Sequence, residues 1–265
     1  MPVALPAEPG LSASVSLMFR ELALPARFAA ARAAGFDAVE IQFLGEGDPQ
    51  ELARAAMEAD MPVLLLNVDM GDLLSGGYGL AGVPGREAQF AAAFAEAVDA
   101  AVSLGSRFVH VGPSRIPPDA TRAECLDVLI TNIRSAAPIA RQTGLELLLE
   151  PLNRVDVADI LLPDPIEVAG LLREQLRDDA SMMFDLYHVV RGGLEIEATF
   201  AACADVVAHV QFSDCPGRRE PGTGQIDFRS AFASLRAGGY RGWFGAEYSP
   251  SGPTAATLGW LDIFR

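Results

Sequence analysis

Four side chains that carry hard oxygen donors, Glu150, Asp185, Gln211 and Glu247, follow one another at separations of 35, 26 and 36 residues. Each ends or adjoins a short apolar run: Leu145–Leu149, Met182–Phe184, Val206–Phe212 and Trp243–Ala246. Three carboxylates and one amide oxygen suit one Mg²⁺ or Mn²⁺ ion and suit a soft-ligand zinc site poorly. A lone acid at a strand end is commonly a helix cap or a solvated loop residue. Four of them at the pace of one strand-plus-helix unit each are much harder to explain that way. Adjacent parallel strands lie ~4.8 Å apart, so four neighbouring strand tips can converge on one ion.

The elements that would carry these tips are legible along the whole chain. Apolar runs at Val15–Met18, Ala38–Phe43, Val63–Val68 and Phe108–Val111 precede the four already named. They are apolar nearly throughout, as strands buried on both faces must be. Helical periodicity fills the gaps, most clearly in Arg86–Leu104, where Phe90, Phe94, Ala97, Val98 and Ala101 share a face. Gly35 and Gly105 stand where helix stops are expected, and Asp164 reads as an N-cap for Ile166–Leu176. Eight such units in 265 residues fit an α/β fold, a single (β/α)₈ TIM barrel. An open doubly wound sheet is the runner-up, but no Gly-rich phosphate turn follows the first run. Residues 1–12 read as a loose leader and 13–265 as the barrel domain.

Acidic residues outnumber basic ones 35 to 20, for a formal charge of −15. Nucleic acid and anionic membrane surfaces are therefore not expected partners, since either demands clustered Lys and Arg. No run approaches the ~20 apolar residues of a membrane span. Cys125, Cys203 and Cys215 are scattered and form no C-x-x-C pair, which fits a reducing cytoplasm. A homo-oligomer is compatible with the sequence.

The motifs Glu150-Pro-Leu-Asn153, Asp185-Leu-Tyr-His188, His209-Val-Gln211, Glu220-Pro-Gly-Thr-Gly-Gln-Ile226 and Trp243-x-Gly-x-Glu247-Tyr resemble the hydroxypyruvate isomerase family. That family is a branch of the xylose-isomerase-like TIM barrels. The resemblance extends to Ser14–Phe19, to Ala34-Gly-Phe-Asp-Ala-Val-Glu40 and to Gly82-Val-Pro-Gly-Arg-Glu87, and so covers roughly residues 13–262. It implies a divalent metal held by Glu150, Asp185, Gln211 and Glu247, with Glu150 and Glu247 as the acid/base pair. Related ketose epimerases carry His where this chain has Gln211, which favours the isomerase branch.

On that resemblance, the expected activity is metal-dependent interconversion of hydroxypyruvate and 2-hydroxy-3-oxopropanoate through an enediolate. The alternatives are a four-carbon 2-oxo acid isomerase, a ketose 3-epimerase or inosose isomerase, and a non-catalytic sugar-binding barrel. His188 and Asp156 are the implied substrate contacts, and Asn153 is a positioning group. Asn67 lies in a Gly-rich stretch after the third strand that reads as a lid or an ordinary connection. Arg218 is the candidate partner for the carboxylate of a small anionic 2-oxo acid, because Arg pairs bidentately with carboxylates; Arg86 and Arg219 are its competitors. His110 is expected at the same mouth, and His209 deeper on the strand face that carries Gln211.

Overall fold

The computed structural model describes residues 3, 9–43, 45 and 47–264. Eight strands close into one parallel barrel in chain order: β1 (Leu11–Ser14), β2 (Ala38–Ile41), β3 (Val63–Asn67), β4 (Phe108–His110), β5 (Glu146–Leu149), β6 (Ser181–Asp185), β7 (Val207–Phe212) and β8 (Phe244–Ala246). β8 pairs in parallel with β1, so no strand edge is left open. Around them run α1 (Leu24–Ala33), α2 (Pro49–Glu58), α3 (Glu87–Leu104), α4 (Arg122–Thr143), α5 (Pro165–Gln175), α6 (Leu186–Arg191), α7 (Ile196–Cys203), α8 (Phe228–Ala237) and α9 (Leu261–Phe264). Among the described residues no helix is long and apolar enough to cross a membrane.

Seven of the eight apolar runs become strands within a residue or two of the expected bounds. The first does not: β1 is Leu11–Ser14, and Val15–Met18 forms the turn after it. Most of the leader, 1, 2 and 4–8, lies outside the described residues. Its last two positions belong to the barrel wall, for Leu11 pairs with Phe244 and Ser12 with Gly245. Ser12 and Ser14 hide this strand from an apolar count because their hydroxyls bond Glu40 of β2 and Gln42 just beyond it.

Local signals end the helices as their chemistry requires. Gly105 closes α3 at φ 66°, a left-handed position natural to glycine. The Asp164 side chain accepts from the Ile166 N–H at 2.8 Å and opens α5. Phe232 of α8 packs its ring 5.1 Å from both Phe212 of β7 and Phe244 of β8. That aromatic cluster braces the two strands whose tips carry Gln211 and Glu247. Cutting Phe232 to Ala would cost about 3–5 kcal/mol of stability.

Candidate active site

Parallel register carries the strand-end residues to one level: Asp185 of β6 is the partner of Gln211 on β7, and Gln211 that of Gly245 on β8. Glu150 and Glu247 stand one residue beyond β5 and β8. Glu150, Asp185, Gln211 and Glu247 are all buried. Asp185 splits its work, since Oδ1 accepts from the Tyr187 N–H at 2.8 Å to start α6. Its Oδ2 faces the cluster, 3.7 Å from His188 Nε2 and 3.4 Å from Arg218 Nη2.

The loop after β7 explains how Arg218 arrives there. Asp214 takes the N–H groups of Cys215 and Ile226 on one oxygen and those of Gly222 and Gly224 on the other. Gly224 must be glycine, because a Cβ would lie 2.1 Å from the Cys215 carbonyl. The Glu220 carboxylate holds Ser251, and the Asp214 carbonyl accepts from Arg218 N at 2.8 Å. The Pro-Gly-Arg-Arg-Glu-Pro-Gly-Thr-Gly segment is thus a scaffold, and it holds Arg218 at φ 52°, uncommon for a side chain of that size. The guanidinium donates to Glu247 Oε2 at 2.6 Å and lies over the Tyr187 ring.

The other arginine candidates are spoken for elsewhere. Arg86 bonds Asp72 at 2.7 Å and the Gly79 carbonyl, tying the loop after β3 together. Arg219 donates to the carbonyls of Ser249 and Pro250. Asp156 lines the mouth, but its oxygens already accept from Tyr187 Oη, Asn153 Nδ2 and Arg191 Nε. Asn67 ends β3 facing the same cavity, its Oδ1 buried without a partner. The cavity holds about 280 Å³ and is lined by Gln42, Asn67, His110, Arg115, Glu150, His188, Arg218 and Glu247, among others.

His188 presents one nitrogen to each side. Asn153 Oδ1 accepts from the Asp156 N–H, so Asn153 Nδ2 turns toward His188 Nδ1 at 2.7 Å. The Asn153 backbone N–H reaches the same Nδ1 at 3.2 Å. Two donors make Nδ1 an acceptor, so the neutral ring carries its proton on Nε2. That N–H is 3.9 Å from Glu150 Oε1 and unpaired. Burial, with Arg218 and His110 adding to it, holds His188 down to about 3 and keeps the ring neutral. Burial, with His209 adding to it, likewise holds His110 down to about 3; His110 lies 3.7 Å from Glu150.

Crowded acids dominate the electrostatics. Burial first, then Glu247 and Asp185, push Glu150 well above the ordinary carboxylate range. Burial also lifts Glu247, to about 7, against the pull of Arg218. Asp185 is raised by its burial, again with Arg218 opposing.

The residues present fit a divalent cation. Glu150 Oε1 and Gln211 Oε1 are buried acceptors without a hydrogen-bond partner. Carboxylate oxygens of Glu150 and Asp185 lie within 4.8 Å of one another, with His188 as close. Unsatisfied buried oxygens among mutually repelling carboxylates are suited to a cation.

Glu40, Ser12, Gln42 and Arg115 escaped the sequence reading. Glu40 sits within an apolar strand run, and a buried charge there was the one available signal. Its carboxylate meets His209 Nε2 at 2.8 Å and Gln211 Nε2 at 2.7 Å, with His209 in the deeper place expected. Burial is the largest influence on Glu40 and would raise it, but His209 and the hydrogen bonds outweigh burial and hold it low.

The xylose isomerase-like TIM barrel family matches residues 28–263. A putative hydroxypyruvate isomerase of Homo sapiens is 38% identical, covering 96% of this chain and 94% of that protein. A 2-oxo-tetronate isomerase of Cupriavidus necator is 35% identical over 97% of this chain and 98% of its own. The crystal structure of a family 2 AP endonuclease from Brucella melitensis superposes with a TM-score of 0.91 at 32% identity, covering 97% of this chain and 99% of that one. The chain belongs to the xylose isomerase-like TIM barrels and, within them, to the hydroxypyruvate isomerase family of isomerases.

Proposed function

We propose that this protein is a divalent-metal-dependent isomerase of short 2-oxo acids that interconverts hydroxypyruvate and 2-hydroxy-3-oxopropanoate in the cytoplasm. The observation that carries the reading is the convergence of two buried glutamates, Glu150 and Glu247, with Asp185 and Gln211 at one end of the barrel, on a cavity that His188 and Arg218 also line. Carboxylates held beside the reacting carbons can take and return a proton, and a bound cation would bring their raised proton affinity down. Glu150, Asp185, Gln211 and Glu247 would hold one Mg²⁺ or Mn²⁺. When bound, the ion supplies Lewis-acid polarisation of the carbonyl and its neighbouring hydroxyl.

The chain's own groups divide the remaining work. One glutamate removes the proton from the hydroxymethyl carbon of hydroxypyruvate, and the other, protonated at the start, returns a proton at the former carbonyl carbon. The hydroxyl proton passes from the oxygen on the first carbon to that on the second, and exchange with solvent resets the two glutamates. The His188 Nε2–H donates to a substrate oxygen, and Asn153 keeps that hydrogen pointed inward. Arg218 faces the negative end of the substrate, while Asn67 and Asp156 bind at the rim. Three buried, unpaired cysteines are in keeping with a reducing compartment. The charge of −15 leaves recognition of the anion to these local groups.

The similarity to the C. necator protein favours a second reading, a four-carbon 2-oxo acid as substrate. Chelator-stripped protein, resupplied with Mg²⁺ or Mn²⁺, separates the readings when assayed on hydroxypyruvate, 2-oxo-tetronate and a neutral ketohexose. Metal-dependent turnover of hydroxypyruvate is expected to dominate. Preference for the four-carbon acid would select the second reading, and epimerisation of the ketohexose or no turnover at all would overturn both.

A further inference from the structure

We propose that Glu40 is the positioning residue that decides which end of the Gln211 amide faces the metal site; this rests on Gln211 being a metal ligand. The two ends of an amide are nearly the same shape but opposite in character, one an acceptor and the other a donor. Packing alone therefore leaves the ligand end of a glutamine undefined. A carboxylate accepts only, so the Gln211 Nε2 bonded to Glu40 Oε2 at 2.7 Å turns Oε1 the other way. That Oε1 is buried and has no partner in the protein.

The carboxylate that imposes this choice is itself fixed. Ser12 Oγ donates to Glu40 Oε1 at 2.5 Å, and His209 Nε2 lies 2.8 Å from the same oxygen. His209 is in turn packed against Phe108, with ring centroids 5.6 Å apart. Space for the carboxylate comes from β8: a Cβ on Gly245 would lie 2.2 Å from Glu40 Oε1. Gly245 is also the register partner of Gln211. The absent side chain on one strand thus admits the charge from β2 that orients the ligand on β7.

The test is Mn²⁺ binding by titration calorimetry, with thermal melts recorded alongside, in a double-mutant cycle of Glu40→Gln with Gln211→Ala. Gln211→Ala alone is expected to weaken Mn²⁺, as loss of a ligand. Glu40→Gln, an isostere whose own amide no longer dictates the orientation, is expected to weaken Mn²⁺ by about 10–100-fold with Gln211 present, the usual effect of losing a partner that holds a ligand. In the Gln211→Ala background the same change should cost almost nothing, because Glu40 acts through Gln211. Gly245→Ala, which crowds the carboxylate and leaves every proposed ligand in place, should show the same dependence on Gln211 and decides the matter if Glu40→Gln fails to fold. A loss of equal size in both backgrounds, or a lowered melting temperature with Mn²⁺ affinity intact, would make Glu40 purely structural. If Gln211→Ala itself leaves Mn²⁺ binding unchanged, the ligand set is wrong and the role of Glu40 falls with it.

Discussion

The Arg218 guanidinium donates to Glu247 Oε2 across 2.6 Å, so this cavity-lining cation is already held by one of the acids. One Nη supports that contact and a longer one to Asp185, while Nε is buried and unpaired. If the free edge meets the substrate carboxylate, Arg218→Ala should raise KM for hydroxypyruvate by the equivalent of about 1.5–3 kcal/mol, the range for hydrogen bonds to charged groups. Arg218→Lys should recover part of this, because an ammonium lacks the fork. Dihydroxyacetone replaces the carboxylate by a hydroxymethyl group and should be nearly indifferent to both changes. Equal losses on the two substrates would confine Arg218 to Glu247. Arg115 would then be the cation for the carboxylate, since it lines the same cavity with its own Nε buried and unpaired.

Glu150→Gln and Glu247→Gln should each lower kcat by about 10²–10⁴-fold, the usual contribution of a positioned acid or base. KM should change far less, because the proton is in flight only in the transition state. Steady-state kinetics at saturating metal check this. A variant that kept a tenth of wild-type kcat would remove that glutamate from the proton transfer.

The four strand-end residues were legible because the repeat of the fold is written into the chain. A strand and a helix together take about 33 residues, so chemistry at one barrel end returns at that interval. Glu40 was not legible, because its meaning depends on Gln211, 171 residues away and on another strand. β1 was missed for a related reason: Ser12 and Ser14 look like loop residues until Glu40 and Gln42 are placed beside them. The loop after β7 could be read as an Arg-bearing segment. Its aim could not, since it depends on Asp214 collecting four backbone N–H groups.

The apo protein should carry the imprint of its crowded acids in its pH-dependent stability. Glu247 rises from an ordinary 4.5 to about 7 on folding. Between those values the folded chain retains a proton that the unfolded chain has released, so this group's contribution falls as pH rises across the window. His110 and His188, held at about 3 against 6.5, act oppositely and cost stability as pH falls below 6.5. Taking Glu247→Gln against wild type cancels the histidine contribution. In chelator-treated samples the variant should melt above wild type at pH 8, with the difference shrinking toward pH 4.5. A difference that stays constant across this range would mean that Glu247 titrates normally.

His188 offers the sharpest separation of metal binding from substrate binding. It lies close enough to Glu150 and Asp185 to be a ligand, yet a ligand needs a lone pair on Nε2, and two N–H donors from Asn153 reserve Nδ1 as the acceptor. The neutral ring must then carry hydrogen on the nitrogen that faces the site. Nitrogen-15 NMR of the ring at neutral pH should report the Nε2–H tautomer. His188→Ala should leave Mn²⁺ affinity within about threefold of wild type. The same variant should lower kcat/KM by about 1–3 kcal/mol equivalent, as expected when a substrate oxygen loses its buried donor. His188→Gln can present an amide N–H in nearly the same place and should restore part of the rate. Collapse of Mn²⁺ affinity in His188→Ala, with the barrel still folded, would instead put His188 among the ligands and require the proton to sit on Nδ1.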